Sequence, residues 1–182
     1  MLGLVSLIPE PFHQRIEQIW DDLETKFNLV GFLVSPIPHF SWQIAEHYDL
    51  DQLVDRISKT VQGISPIRVR TTGIGLFTGL RQVIYIPIIK DCELINIHTQ
   101  IWTITQTIST QLSPLYSPDS WVPHITLIHE NLTTGNIGPV MKYLASSTYN
   151  YEMTIDKIAL VSDSVEDMDE LQIKASFQFQ GK

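Results

Sequence analysis

Two short stretches of the chain carry the same phrase. Pro38-His39-Phe40-Ser41-Trp42 (PHFSW) and Pro123-His124-Ile125-Thr126-Leu127 (PHITL) both read proline, histidine, apolar, hydroxyl, apolar, and their histidines stand 85 positions apart. Both phrases fit strands, whose side chains alternate between faces. Read so, His39, Ser41 and Gln43 share one face, with Phe40, Trp42 and Ile44 behind. His124, Thr126 and Ile128 likewise share a face, with Ile125, Leu127 and His129 opposite. Each phrase sets an imidazole beside a hydroxyl on one surface.

The surroundings of the two phrases follow the same order. Residues 2–9 suit a buried strand, and Phe12, Ile16, Ile19, Trp20, Leu23 and Phe27 then mark one face of an amphipathic helix. After PHFSW comes a helix over 49–62, with Leu50, Leu53, Val54, Ile57 and Val61 inward and Gly63 placed to end it. A strand at 66–77 follows, weakened or bulged at Gly73 and Gly75. The series restarts with a strand at 83–89 and a helix over about 92–112, capped by Asp91. Thr and Ile are mediocre helix formers there, but the 3–4 spacing of Leu94, Ile97, Ile101, Ile104 and Ile108 favours helix. PHITL follows, then a short helix at about 135–145 and strands at 151–162 and 171–179. The acidic SDSVEDMDE between the last two strands reads as a solvated hairpin loop. The chain is thus strand-helix-strand-helix-strand written twice, with Trp20 and Trp102 in corresponding helices. One domain spanning 1–182 is expected, with lobe-forming halves of about 1–80 and 81–182 that can exchange strands.

Composition narrows the function classes. With 43% hydrophobic and 18% charged residues in 182, the chain suits a globular protein with a sizeable core. Cys92 is the single cysteine, which rules out an intramolecular disulfide and a cysteine-rich zinc site, and fits a cytoplasmic location. The apolar MLGLVSLIPEPF lacks a basic stretch and falls short of the ~20 residues that span a bilayer, so it is read as a strand and no membrane association is expected. A net charge of −8 argues against extended nucleic-acid binding, which draws its affinity from clustered Lys and Arg. A small phosphate ligand or an RNA end remains compatible with it. A monomer is the expected state.

If a pseudo-twofold axis relates the halves, the two surfaces face each other and surround one small ligand with two imidazoles and two hydroxyls. That set suits a phosphodiester. One histidine deprotonates an attacking water and the other protonates the leaving alkoxide. The hydroxyls donate to the non-bridging oxygens where negative charge builds. The scheme requires neither metal nor cofactor.

With these residues in place, the chain resembles the 2H phosphoesterases, which include the RNA 2′,3′-cyclic phosphodiesterases often named 2′-5′ RNA ligases. The resemblance rests on His39-Phe40-Ser41-Trp42 and His124-Ile125-Thr126-Leu127, and the order of elements extends it over nearly the whole chain. It implies an α+β, bilobal fold with pseudo-twofold antiparallel sheets lining a central groove and helices outside. It implies His39 and His124 as the acid-base pair, Ser41 and Thr126 as phosphate-binding residues, and a cyclic nucleotide or RNA 3′-end as substrate. An aromatic near the groove mouth can stack on a nucleobase in such proteins, and Tyr116 is the candidate here. A nucleotide or RNA-end binding module with weak or no turnover is the alternative.

Other residues read more plainly. His13, His47, His98 and His129 fall on helices, in loops or on the far face of their strand, and are taken as non-catalytic. There is no Gly-x-Ser-x-Gly elbow and no His-Glu-x-x-His pair. Trp121 is expected to pin its loop to the core, and Arg68 and Arg70 to lie on a solvated strand face.

Overall fold

The computed structural model describes residues 1–29, 37–129, 131–162 and 172–181. Ten strands and four helices are arranged in the order β1 (Leu2–Leu7), α1 (Phe12–Phe27), β2 (His39–Tyr48), α2 (Leu50–Val61), β3 (Ile67–Arg70), β4 (Gly75–Phe77), β5 (Val83–Pro87), α3 (Cys92–Thr105), β6 (Ser109–Leu112), β7 (His124–Ile128), α4 (Ile137–Leu144), β8 (Glu152–Ile155), β9 (Lys157–Ser162) and β10 (Gln172–Gln178), among the described residues. The fold is α+β, and every pairing between these strands is antiparallel.

PHFSW opens β2, in a five-stranded sheet of order β10-β9-β1-β2-β6. PHITL opens β7, at one side of β4-β5-β7. The separate pair β3-β8 joins this second sheet through a bridge between Thr71 and Ile88 and through the bond from the Ile89 amide to the Arg70 carbonyl. Thr71, buried, ties the junction from the other side: its hydroxyl donates to the Tyr149 carbonyl and accepts from the Tyr151 amide. The sheets therefore draw on both halves of the sequence. β9 and β10 complete the sheet of the first motif, and β3 reaches across to β8.

The helices form for ordinary reasons. Helix α2 buries Leu53, Ile57 and Val61, and the Asp49 carboxylate caps it by accepting from the Gln52 amide. Leu50 and Val54, expected inward, are 50% and 42% exposed. The buried stripe is narrower than the apolar pattern, because only three positions of this 12-residue helix turn squarely to the sheet. Helix α3 is capped by Asp91 as the sequence indicates, through the Leu94 amide. It stops at Thr105, short of the 92–112 span expected from the pattern. The hydroxyls of Thr105 and Ser109 bond back to the carbonyls of Ile101 and Thr105, and residues 109–112 leave as β6 to pair with β2. A run of β-branched and hydroxyl residues holds a helix weakly, and β2 offers an edge that such residues suit better.

Two other expected strands are each split. The 66–77 segment breaks between β3 and β4, where Gly73 takes a left-handed conformation (φ 55°). The 151–162 segment divides into β8 and β9 around Asp156, and the two parts join different sheets. The acidic loop expected between the last strands falls outside the described residues from 163 onward. No helix among the described residues is long and apolar enough to cross a membrane.

Replacing Asp91 with Ala removes the acceptor for the Leu94 amide in the first turn of α3. Unfolding by urea should show a loss of about 1 kcal/mol with an unchanged slope.

Candidate functional site

The two motifs are built alike down to the hydrogen bonds. In the first, the Ile8 amide donates to the Pro38 carbonyl at 2.9 Å, and Leu7 pairs with His39. In the second, the Ile88 amide donates to the Pro123 carbonyl at 2.9 Å, and Pro87 pairs with His124. Each ladder then slips by one residue at the same place. Val5 opposes Ser41 while Leu4 opposes Gln43, which makes Trp42 the extra residue of a bulge. Tyr85 opposes Thr126 while Ile84 opposes Ile128, which gives Leu127 the same part. A bulge bends its strand and raises the local twist. Here it follows immediately after each hydroxyl.

Up to the bulge the expected alternation holds: Phe40, Trp42, Ile125 and Leu127 are buried, and His39, Ser41, His124 and Thr126 are half-buried. Beyond it the alternation fails. Gln43, expected beside His39 and Ser41, is 0% exposed, whereas Ile44, expected in the core, is half-buried. On the second strand Leu127 and Ile128 are buried in succession.

Both imidazoles are fixed by a main-chain acceptor two residues upstream. His39 Nδ1 lies 2.7 Å from the Ile37 carbonyl, and His124 Nδ1 lies 2.6 Å from the Val122 carbonyl. A carbonyl only accepts, so Nδ1 carries the proton in each ring, and Nε2 is the nitrogen that can exchange one. Burial holds both side chains below the ordinary histidine pKa, against the opposing pull of the carbonyl bonds. A charge on His39 lowers His124 further, and β2 and β7 pack against one another, so the two rings share one electrostatic environment.

Two tryptophans brace the motifs. Trp20, on α1, donates its indole N–H to the Thr126 carbonyl at 3.3 Å. Trp121, two residues ahead of Pro123, donates its own to the Ser41 carbonyl at 2.9 Å. Each indole thus anchors the main chain of the other motif, at the residue just before the bulge. Trp102, the expected counterpart of Trp20, is only half-buried in α3; Trp121 takes that part. Trp121 also stacks on Trp42 (5.6 Å between ring centres) and accepts at its carbonyl from Lys90. Trp42 in turn donates to the Ser6 hydroxyl, which donates to the Lys157 carbonyl, so β2, β1 and β9 are linked behind the site.

Tyr116 lies in a short 3-10 turn, Pro114–Tyr116, and is half-buried against the core. Burial raises its pKa, with the nearby Ser41 side chain opposing. The sequence left two other features near the motifs without a part. His98, expected on a helix without a catalytic part, is 1% exposed and stacks on Trp121 at 3.8 Å with the rings nearly parallel. Tyr85 and Phe77 stack at 4.1 Å, and each has its ring centre 5.0 Å from that of His124. The one signal available for Tyr85 was its place in the strand that answers β1 in the duplication.

The model of the 2′-5′ RNA ligase superfamily matches residues 8–167, most of the chain and both motifs. The chain belongs to that superfamily, the 2H phosphoesterases. Similar solved structures include the TT0787 protein of Thermus thermophilus, with a TM-score of 0.72 and 14% identity over 100% of this chain and 98% of that one. LigT of E. coli complexed with NADP+ superimposes with a TM-score of 0.60 at 12% identity, over 98% of this chain and 97% of that one. LigT complexed with 3′-AMP gives 0.60 and 12%, over 98% and 96%. No curated protein matches the sequence. These superpositions speak for the fold, and superfamily membership supports a phosphoesterase or ligase-type enzyme.

Burial holds the His98 pKa at about 4, with Lys90 lowering it further and the Tyr116 and Trp42 carbonyls opposing. Its folded value therefore lies below the unfolded value of about 6.5. The unfolded chain then takes up the proton first as pH falls, so stability is full above about 6.5 and drains away between there and about 4. His98→Phe keeps a ring against Trp121 and removes this titration. Urea midpoints at pH 7.5 and 5 should differ less for that variant than for the wild type.

Proposed function

We propose that this protein hydrolyses 2′,3′-cyclic phosphodiesters of RNA ends or small nucleotides by two-histidine acid-base catalysis. The observation that carries the reading is the coupled pair: His39 and His124, each with Nδ1 tied to the main chain and Nε2 left for proton exchange, each two residues from a hydroxyl. One Nε2 takes the proton of the attacking water. The other protonates the ribose oxygen that leaves as the ring opens, giving a phosphomonoester and a free hydroxyl. Ser41 and Thr126 donate to the non-bridging oxygens, where they offset charge developing in the transition state. Tyr116, half-buried close to Ser41, is the substrate-binding aromatic of this reading. The structures of LigT complexed with 3′-AMP and NADP+ support a substrate of nucleotide size.

The scheme calls on no metal, so EDTA should leave turnover of adenosine 2′,3′-cyclic phosphate unchanged. His39→Ala and His124→Ala should each lower kcat by at least ~10²-fold, the usual scale for one acid-base group. Ser41→Ala and Thr126→Ala should cost less, because other donors still hold the phosphate. Near-wild-type activity in either histidine variant, or activity lost to EDTA and restored by a divalent cation, overturns the mechanism.

The pH profile follows from the same pair. One imidazole must be neutral and the other protonated, which gives a bell governed by two apparent pKa values of the coupled system. An unburied pair would place that bell around pH 6–8. Burial lowers both rings here, so the bell for kcat/KM should centre below about 6.5. A bound phosphate anion favours the imidazolium forms, so the bell for kcat should lie at higher pH. Coincident bells, or a single ionisation above about 8, would count against two histidines.

A further inference from the structure

We propose that His98 is a positioning residue of the first motif: its ring sets the plane of the Trp121 indole, and through that indole the Ser41 carbonyl and the hydroxyl on the same residue. This rests on the hydrolytic reading above and adds to it a buried residue that belongs to neither motif strand.

The chain of contacts is short. His98 belongs to the buried stripe of α3, with Leu94, Ile97 and Ile101, and α3 packs on β2. Its ring lies on that of Trp121, 3.8 Å between centres and 5° from parallel. The Trp121 N–H donates to the Ser41 carbonyl at 2.9 Å. An indole N–H points along its ring plane, and a hydrogen bond weakens as the N–H swings out of line. Whatever fixes the tilt of the ring therefore fixes the bond. Trp42, the extra residue of the bulge, is the other ring on Trp121, at 5.6 Å and 21°. That looser contact leaves the tilt to His98.

Packing alone does not account for this residue. His98 is 1% exposed, and its Nε2 is buried with no hydrogen bond to another group among the described residues. A buried nitrogen left without a partner destabilises the fold. A leucine would fill the place without that penalty, but it has no flat face to lay against an indole. The imidazole edge also lies near the carbonyls of Tyr116 and Trp42, which favour its charged form against the burial that opposes it. One side chain of α3 thus meets the indole that holds Ser41, the residue that follows Ser41, and the turn that carries Tyr116. Buried as it is, His98 does not touch substrate. Its effect falls on where the Ser41 hydroxyl stands as charge builds on a non-bridging oxygen, and an interaction that grows in the transition state shows in kcat more than in KM.

The test follows two readouts, turnover of adenosine 2′,3′-cyclic phosphate and hydrogen exchange of the Trp121 indole proton by NMR, its resonance assigned by its loss in Trp121→Phe. His98→Leu removes the flat face, and His98→Met does the same should leucine not fold. The leucine variant should lower kcat about 5- to 10-fold, within the ~10²-fold that a misplacement of about 1 Å can cost. KM should change by less than about 2-fold. The indole proton should exchange at least ~10-fold faster, as its bond opens more often. His98→Phe, which restores a flat ring with a positive edge toward the same carbonyls, should restore both readouts. In Trp121→Phe, which lacks the N–H, adding His98→Leu should lower kcat by no more than about 2-fold further, because both changes act on one bond. Unchanged kcat or exchange in His98→Leu, no rescue by phenylalanine, or losses that multiply in the double variant would each overturn the proposal. If the wild type does not open the cyclic phosphate, the hydrolytic reading fails and the exchange decides alone. Faster exchange in His98→Leu that His98→Phe reverses upholds the positioning of the indole, and unchanged exchange overturns it.

Discussion

The site depends on a reciprocal pair of hydrogen bonds between indole and main chain. Trp20 reaches the Thr126 carbonyl and Trp121 the Ser41 carbonyl, so the backbone of each motif is held by a group rooted outside its own strand. A buried carbonyl left without a donor costs about 1–3 kcal/mol, so each contact matters for stability alone. Their placement gives them a second consequence. Both act at the residue preceding a bulge, where a strand otherwise has latitude in twist. Fixing that carbonyl fixes the hydroxyl on the same residue and, two positions earlier, the imidazole. The main-chain acceptors at Ile37 and Val122 then settle ring orientation and tautomer. The imidazoles and hydroxyls of the two motifs are positioned by the backbone more than by contacts among the side chains themselves.

Much of this was legible in the chain. The repeated phrase located the histidines, the hydroxyls and both strands, and the 3.6-residue period located α1 and α2. Other features lay beyond pattern reading for physical reasons. The bulges at Trp42 and Leu127 leave no mark in apolar alternation until the partner strand is known, so Gln43 and Ile44 were assigned to the wrong environments. The last residues of the expected third helix left for β6 because an open edge of β2 prevailed over a weak helix end, a tertiary effect. Tyr85 and Phe77 come from segments 39 and 47 residues ahead of His124 and meet it only through sheet register. The burial of His98 was not legible because helix periodicity says nothing of what lies over each position; Trp121 lies over this one.

The likeness of the two halves also marks where they differ. The residue opposite Ser41 is Val5, in a buried aliphatic cluster, and the residue opposite Thr126 is Tyr85, stacked on Phe77. The duplicated frame thus carries different side chains beside its two motifs.

The path of the chain through the five-stranded sheet bears on how the molecule comes together. Strand β1 lies between β2 and β9, with Leu2 opposite Ala45 on one side and opposite Ser162 on the other. The first strand described in the chain therefore waits for the last but one before its second ladder can close. Closing so long a loop costs entropy before any contact rewards it, and topologies rich in distant pairings fold slowly. The sheet of His39 draws on β9, and β3, carried by the first half, finds its partner in β8, so neither half of the sequence holds all of its own strand partners.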